Sequence, residues 1–171
     1  MRYNTIRKMD ISNGPGIRVS IFMQGCSFHC KNCFNEETWD FNAGKEFNDE
    51  VIDKVIECAK EDYIVGLSIL GGEPLHPNNM KGSLNLAKKF KEIYPNKSIW
   101  VWTGFLYDRD LKGKEILNYI DVLVDGKYED DLHDFRLKYR GSSNQRVIDV
   151  KKSLKKDNIV LLNLDKDLQG V

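Results

Sequence analysis

Three closely spaced cysteines are the strongest chemical feature of this chain. Cys26, Cys30 and Cys33 form a C-x3-C-x2-C pattern within MQGCSFHCKNCFN, and the chain has only one further cysteine. Thiolates are soft ligands that favour zinc or an iron–sulfur cluster. Structural zinc sites and simple ferredoxin clusters usually take four protein ligands. The pattern therefore predicts a metal centre with one coordination position unassigned.

The spacing alone leaves two kinds of site open. Zinc would need a fourth ligand, for which His29 and His76 are candidates. Cys58 falls beside the apolar stripe of a predicted helix, where a cysteine is typically a small buried hydrophobe. A 4Fe-4S cluster on three cysteines would instead leave one iron open, and an open position is typical of catalytic metal sites. We favour the cluster.

Other candidate residues follow three further predicted strands, YIVGLSILGG, SIWVWTG and DVLVDG. They are Gly71, Gly72, Glu73, Trp102, Thr103, Gly104 and Asp125. Because the carboxyl ends of parallel strands share one face, we expect these residues to form one pocket with the cysteines. Each also has a purely structural explanation. The Gly and Asp-Gly pairs are common turns, and alternating tryptophans can fill a core.

The elements that must position these residues alternate between strand and helix. GIRVSIFMQG is a predicted strand that ends at the first cysteine. Predicted helices are NDEVIDKVIECAKE, with Asn48 as N-cap, GSLNLAKKFKEIYP, ended by Pro95, and the short KEILNYI. RVIDVKKSL and NIVLLNL close the chain, the latter as a predicted strand. About five such units predict an α/β fold with a mostly parallel sheet, either a wound sheet or an incomplete TIM-like β/α barrel, because a closed barrel needs about 250 residues. We favour the incomplete barrel, which the resemblance described below also implies.

Composition indicates one domain over residues 1–171, with the motifs within about 5–150 and a strand or tail over 151–171. Lys plus Arg and Asp plus Glu are equal at 26 each, so no basic surface suggests nucleic acid. No apolar run approaches the roughly 20 residues that span a bilayer, and we expect no signal peptide. Clustered free cysteines fit the reducing cytoplasm.

The cysteine motif resembles the signature of the radical S-adenosylmethionine (SAM) superfamily, with Phe28 and Phe34 where that superfamily often has aromatics. Gly71, Gly72 and Glu73 resemble its GGE element, which binds the SAM amino group. The resemblance implies that SAM binds the open iron of a 4Fe-4S cluster. One electron would then cleave SAM to methionine and a 5′-deoxyadenosyl radical, which abstracts a hydrogen atom.

A closer resemblance covers residues 5–150. SNGPGIRVSIFMQGC is similar to the start of glycyl-radical-enzyme activases. WVWTGF, DVLVDGKYE and RGSSNQRVIDV resemble the activating proteins of anaerobic (class III) ribonucleoside-triphosphate reductases. Lys127 and Tyr128 depart from that family, which often has Pro and Phe at these positions. Ser12 and Asn13 are a second, separate departure. The implied partners are the reductase, at a glycine near its C-terminus, and a low-potential donor such as flavodoxin or ferredoxin.

The resemblance implies catalytic and metal-binding roles for the three cysteines. It implies a SAM pocket formed by Asn32, Cys33, Phe34, Gly71, Gly72, Glu73, Trp102, Thr103, Gly104 and Asp125, with residues 140–146 in pocket or partner contacts. The alternatives are a pyruvate formate-lyase activase, another radical SAM enzyme such as 7-carboxy-7-deazaguanine synthase, a zinc-binding interaction module, or a plain electron carrier.

Overall fold

A computed structural model describes residues 1–164 of the protein, arranged around one open sheet of seven strands in the order β3-β1-β2-β4-β5-β6-β7. The strands are β1 (Arg2–Asp10), β2 (Ile17–Gln24), β3 (Lys45–Glu46), β4 (Ile64–Gly71), β5 (Ser98–Trp102), β6 (Val122–Asp125) and β7 (Arg146–Asp149). The helices are α1 (Asp49–Cys58), α2 (Pro77–Ile93) and α3 (Val150–Lys156). Within the described residues, no helix is both long and apolar enough to cross a membrane.

The four central strands, β2, β4, β5 and β6, are parallel, as their apolar sequences predict. The edges are antiparallel: β1 pairs with β2 and β3, and β7 pairs with β6. Neither β1 nor β3 was predicted from the sequence. The strand β1 exposes Arg7 and Lys8 and has no clear apolar alternation, because it lies near the edge of the sheet.

One face of the sheet is covered by α1 and α2, which carry most of the core. The predicted cap of α1 is confirmed, since the Asn48 side chain accepts a hydrogen bond from Val51 N at 3.1 Å. The helix α2 starts at Pro77, five residues earlier than predicted, with His76 as its N-cap. Proline suits this first position because the N–H it lacks would have no helical partner. The helix ends just before Pro95, as expected.

The other face of the sheet carries a smaller apolar cluster. It consists of Trp100, Val122, Val124 and Val147, with Trp102, Tyr139, Leu162 and Leu164 packed against it. The predicted terminal strand NIVLLNL is wrong, because only an isolated bridge joins Leu161 to Ile148. In the expected strand or tail over 151–171, α3 occupies the start; the part beyond residue 164 lies outside the described residues. The predicted helix KEILNYI is a single 3₁₀ turn, Glu115–Asn118.

A buried arginine near the start of β2 ties three strands together. Arg18 is 0% exposed. Its Nε donates to Ser68 Oγ at 2.8 Å, and its Nη2 donates to the carbonyls of Leu67 and Ser98 at 2.9 and 2.8 Å. Burial lowers the pKa of Arg18 to about 10. The guanidinium therefore joins the start of β2, the middle of β4 and the start of β5, away from the cysteines at the carboxyl end of β2.

Candidate functional site

The three cysteines lie in one loop, the cysteine loop (residues 25–35), which leaves the carboxyl end of β2. Gly25 starts it with φ of +98°, and a Cβ there would come within 2.1 Å of the Phe41 ring. Gly25 N and Cys26 N donate to the carbonyls of Thr38 and Trp39 at 2.7 and 3.0 Å. These bonds fold the chain back, so the loop is held at both ends.

All three thiols are free, Cys26 buried and Cys30 and Cys33 half-buried. Backbone N–H groups point at two of the sulfur atoms: Phe28 N donates to Cys26 Sγ at 3.5 Å and Asn35 N to Cys33 Sγ at 3.4 Å. Such bonds stabilise a thiolate. Burial raises the pKa of Cys26 and Cys30 in the thiol state, so the loop favours neutral thiols until a metal centre replaces their protons.

This donor set fits a 4Fe-4S cluster. It offers three soft sulfur donors in one loop, with backbone N–H groups directed at sulfur. Over residues 1–164, no three His, Cys, Asp or Glu side chains are grouped as they would be around one metal ion. A cubane cluster does not require such a group, because each cysteine binds a different iron. The two histidines considered as zinc ligands make other contacts. The His29 ring stacks on the Trp39 ring with 4.6 Å between ring centroids, and His76 Nδ1 caps α2 by accepting from Asn78 N at 3.2 Å.

Cys58 is separate from the other cysteines, near the end of α1, as the sequence indicated. It is half-buried rather than fully buried, and it packs against the core on the helical face of the sheet. Its environment is therefore that of a small hydrophobe.

The Gly-Gly-Glu turn at the end of β4 packs directly on the start of the cysteine loop. Gly72 N donates to Met23 O and Glu73 N donates to Gly25 O, both at 2.9 Å. A Cβ on Gly72 would lie 2.7 Å from Gly25 O, and one on Gly71, where φ is +106°, would lie 2.6 Å from Met23 N. The two glycines are therefore required by the close approach of two backbones.

The Glu73 carboxylate links the ends of β4 and β5. It is 1% exposed and accepts hydrogen bonds from Thr103 Oγ1 at 2.7 Å, Gly104 N at 2.7 Å and Leu75 N at 2.9 Å. Burial raises the pKa of Glu73 to about 7, while these three donors act in the opposite direction. The predicted convergence of the Gly-Gly-Glu and Thr-Gly motifs is thus present, through a direct side-chain bridge.

The Phe28 ring brings the cysteine loop against the end of β5. A Cβ on Gly104 would come within 2.5 Å of this ring, and the Phe105 ring lies 5.0 Å away in an edge-on arrangement. Lys127, which follows β6, places its ammonium 4.6 Å from the Phe28 ring centre. Phe28 therefore contacts the ends of two neighbouring strands.

The segment after β6 holds the far side of the cysteine loop. Asn32 Nδ2 donates to Asp130 Oδ2 at 2.9 Å, and Lys31 forms an exposed ion pair with the same carboxylate at 3.4 Å. Asn32 has φ of +55°, a conformation that asparagine tolerates well. Phe34 is 65% exposed, and its ring lies 5.4 Å from Tyr128. Asn32 and Phe34 thus stand at the rim of the site.

Two predicted site residues are engaged elsewhere by the protein. Asp125 is 0% exposed and accepts from Tyr107 N at 2.8 Å and Arg146 Nε at 2.9 Å. Trp102 Nε1 donates to Tyr139 O at 2.8 Å. Both residues hold the strand ends in place, and their contacts with the protein are those of structural supports.

The loop over residues 140–146 packs on the segment after β6. Gln145 Oε1 accepts from the backbone N of Gly141 and Ser142 at 2.9 and 3.2 Å, and its Nε2 donates to Gly126 O at 2.9 Å. A Cβ on Gly141 would lie 2.9 Å from the Tyr128 ring. The loop therefore reaches the rim of the site through its contacts with the segment after β6.

Sequence reasoning missed Asn79, a buried residue in the first turn of α2. Its Nδ2 donates to the carbonyls of Gln24 and Glu73, each at 3.0 Å, and lies 3.4 Å from Gly25 O. Asn79 thus joins α2 to both loops of the site. An asparagine near a helix start is common, so only the missed Pro77 start of α2 could have pointed to it.

The chain is similar to a described protein family and to several known proteins. Residues 12–148 match the family model described as a 4Fe-4S single cluster domain. The chain is 42% identical over 150 residues to the anaerobic ribonucleoside-triphosphate reductase-activating protein of Vibrio cholerae, and 41% identical over 150 residues to that of Escherichia coli K12. Each alignment covers 86% of this chain and 97% of the relative.

A phage protein with the same name is also similar. The activating protein of Enterobacteria phage T4 is 41% identical over 147 residues, covering 86% of this chain and 93% of its own length. These alignments span the cysteine loop, the strand-end motifs and most of the sheet, which together exceed what a shared metal motif alone would explain. The chain belongs to the family of anaerobic ribonucleoside-triphosphate reductase-activating proteins, with a 4Fe-4S single cluster domain.

Proposed function

We propose that this chain activates an anaerobic ribonucleoside-triphosphate reductase by generating a glycyl radical on it. The observation that carries the proposal is the packing of the three-cysteine loop against the Gly-Gly-Glu turn, where Gly72 N and Glu73 N donate to the carbonyls of Met23 and Gly25. The printed names of the relatives support the choice of partner. When bound, the 4Fe-4S cluster supplies the electron for reductive cleavage of SAM, whose 5′-deoxyadenosyl radical removes a Cα hydrogen from the target glycine.

The chain's own residues would bind and orient the reactants. Cys26, Cys30 and Cys33 would each hold one iron, and the remaining iron would be open to SAM. Phe28 would fix the cysteine loop against β5, and Glu73 would hold the Thr103–Gly104 backbone in position. No general base is needed, because hydrogen-atom abstraction transfers the proton and its electron together.

The SAM pocket is proposed to comprise the full set of residues at the strand ends. They are Asn32, Cys33, Phe34, Gly71, Gly72, Glu73, Trp102, Thr103, Gly104 and Asp125. Within this set, Asp125 and Trp102 act as supports through Arg146 and Tyr139, and Glu73 positions β5. Gly71 and Gly72 would shape the pocket by letting their turn pack directly on the backbone of Met23 and Gly25.

A partial β/α barrel of the radical SAM type, forming one domain, is the fold we propose for this activity. The sheet is open at β3 and β7, so a glycine on a loop of a protein substrate could enter from the side. A low-potential donor such as flavodoxin or ferredoxin would supply the electron. We infer that the protein acts in the cytoplasm, because neighbouring free thiols persist in a reducing compartment.

A glycyl-radical assay tests the proposal. Anaerobically reconstituted protein, SAM and a chemical reductant are mixed with the anaerobic reductase or, separately, with pyruvate formate-lyase, and the glycyl signal is recorded by electron paramagnetic resonance. We expect the signal on the reductase alone. Cys30→Ala should abolish it together with cluster binding, whereas Cys58→Ala should keep both because Cys58 lies on α1.

Two outcomes would contradict the proposal. A signal on pyruvate formate-lyase and none on the reductase would reassign the substrate. Stoichiometric zinc without iron or sulfide, persisting after reconstitution, would exclude the enzymatic function and leave the zinc-binding module.

A further inference from the structure

Lys127, the second residue after β6, places an unpaired positive charge against the cysteine loop. Its Nζ lies 4.6 Å from the centre of the Phe28 ring, and Phe28 stands between Cys26 and Cys30 in the chain. Within residues 1–164, no ion pair involves the Lys127 ammonium. Lys31, in the same region, is instead paired with Asp130 at 3.4 Å. Lys127 is therefore a cation without a local counter-charge beside the cysteines.

The backbone around Lys127 is fixed on both sides, so the position of its side chain is restricted. Gly126 N donates to Phe105 O at 3.1 Å, and Lys127 O accepts from Asn144 Nδ2 at 2.8 Å. The cation–π contact with Phe28 then directs the ammonium toward the cysteine loop. Lys127 is an exposed residue, so its charge remains subject to screening by salt.

This contact places the charge close to a ligand sulfur, because Phe28, whose ring faces the Lys127 ammonium at 4.6 Å, donates its backbone N–H to Cys26 Sγ at 3.5 Å. A group that favours negative charge on a ligand sulfur also favours negative charge on the centre that the sulfur binds.

We infer that Lys127 raises the midpoint potential of the 4Fe-4S cluster held by Cys26, Cys30 and Cys33. The inference rests on the proposed function, because it requires that cluster. Reduction adds one electron from the low-potential donor to a centre that three thiolates already make anionic. The nearby cation stabilises the reduced state more than the oxidised state, and Lys127 itself exchanges neither a proton nor an electron. The charge of Lys127 thus makes the cluster easier to reduce.

The test is a redox titration of the reconstituted protein without SAM or reductase. Lys127→Met keeps an unbranched side chain on Phe28 but removes the charge. At the midpoint potential of the unaltered protein, we expect the ratio of reduced to oxidised cluster in Lys127→Met to be lower by about threefold or more. This is the effect of one nearby surface charge. Lys127→Arg should titrate like the unaltered protein. Raising the salt concentration to 0.5 M should shrink the difference, as expected from a shorter Debye length of roughly 4 Å.

A matched control separates this local effect from a change in net charge. Lys8→Met removes an exposed lysine on β1 and should leave the potential unchanged. A second neutral variant, Lys127→Gln, should reproduce the effect of Lys127→Met and serves if the methionine variant does not fold.

The outcomes distinguish the inference from the function on which it rests. If neutral variants at Lys127 titrate like Lys8→Met, or if Lys127→Arg shifts as much as Lys127→Met, the charge effect is wrong while the proposed function stands. If the unaltered protein holds no 4Fe-4S cluster, the proposed function is wrong and the inference is overturned with it.

Discussion

Glu73 is a carboxylate whose surroundings pull its protonation in two directions. It is almost fully buried, yet three donors from Leu75, Thr103 and Gly104 point at its two oxygens. Burial prevails and raises the pKa of Glu73 to about 7 from the ordinary value of 4.5. A single side chain thus both joins two strand ends and makes the stability of the site depend on pH.

The first prediction concerns this pH dependence. Between about pH 4.5 and pH 7 the folded protein binds a proton at Glu73 that the unfolded chain has already released. Raising the pH through this window therefore lowers the free energy of unfolding. Above it, both states are ionised and the penalty stays constant. Glu73→Gln removes the titration, so its stability relative to the unaltered protein should improve by up to about 3 kcal/mol from pH 4.5 to pH 8.

Urea unfolding of the cluster-free protein at several pH values measures this change. Glu92→Gln is the control, because it removes an exposed carboxylate on α2. A difference between Glu73→Gln and the unaltered protein that stays constant with pH would show that Glu73 remains ionised throughout. The absolute stability of Glu73→Gln is a separate matter, since an amide cannot accept at both oxygens and leaves one buried donor without its partner.

At the scale of elements, the two ends of the parallel strands have different tasks. The carboxyl ends of β2, β4, β5 and β6 contact the cysteine loop or the turns around it. Arg18 joins the amino-terminal ends of β2 and β5 to the middle of β4, and its five donors match the fork of acceptors at Ser68, Leu67 and Ser98. Stability and chemistry are thus supplied from opposite ends of the same strands.

The second prediction follows from that separation. Arg18→Lys keeps the charge but offers three donors on one nitrogen, which cannot reach both β4 and β5. We expect it to lower the free energy of unfolding by about 2–4 kcal/mol, because buried carbonyl oxygens lose their partners. Iron and sulfide content per folded molecule should not change. Denaturant unfolding and metal analysis provide the two readouts.

Arg136→Lys is the control for Arg18→Lys, since the Arg136 side chain is 90% exposed and should cost little. Folded Arg18→Lys protein that cannot incorporate iron would contradict the separation, because it would link the two ends of the strands. The opposite result is expected for Cys30→Ala, which should lose the cluster and keep the fold.

The sheet has two unequal faces. The helices α1 and α2 cover one face with a large core. The other is covered by a few side chains from the loop at Tyr139 and from the chain after α3. This second face supports Trp102 and the ends of β5 and β6, so the terminal segment contributes to the site from a distance.

The third prediction tests that contribution with neighbouring leucines. Leu162 packs on the smaller apolar cluster around Trp100, and its backbone N donates to Val147 O at 2.9 Å. Leu161 is instead 60% exposed. Leu162→Asp should lower the free energy of unfolding by about 1–3 kcal/mol, because it places a charge against apolar side chains. Leu161→Asp, the same change one residue earlier, should cost much less. Equal losses in urea unfolding would mean that Leu162 does not seal this face.

The sequence predicted the parallel centre of the sheet because β2, β4, β5 and β6 are almost continuously apolar, as strands buried on both faces must be. It did not predict β1, which carries exposed charges, or the absence of a strand over NIVLLNL, which is apolar enough for one. Edge pairing depends on the partners available in space, so local composition indicates it weakly.

The sequence alone determined three features: the spacing of the cysteines, the Gly-Gly-Glu turn and the order of the strand-end motifs. Each is a local pattern at the end of a buried strand. Only the tertiary structure assigned tasks within that set. It placed Glu73 against Thr103 and Gly104, Asp125 against Arg146, and Asn79 between two loops. The physical reason is that hydrogen-bond partners distant in the chain become neighbours only when the strands lie side by side, and spacing along one strand carries no record of what the next strand presents.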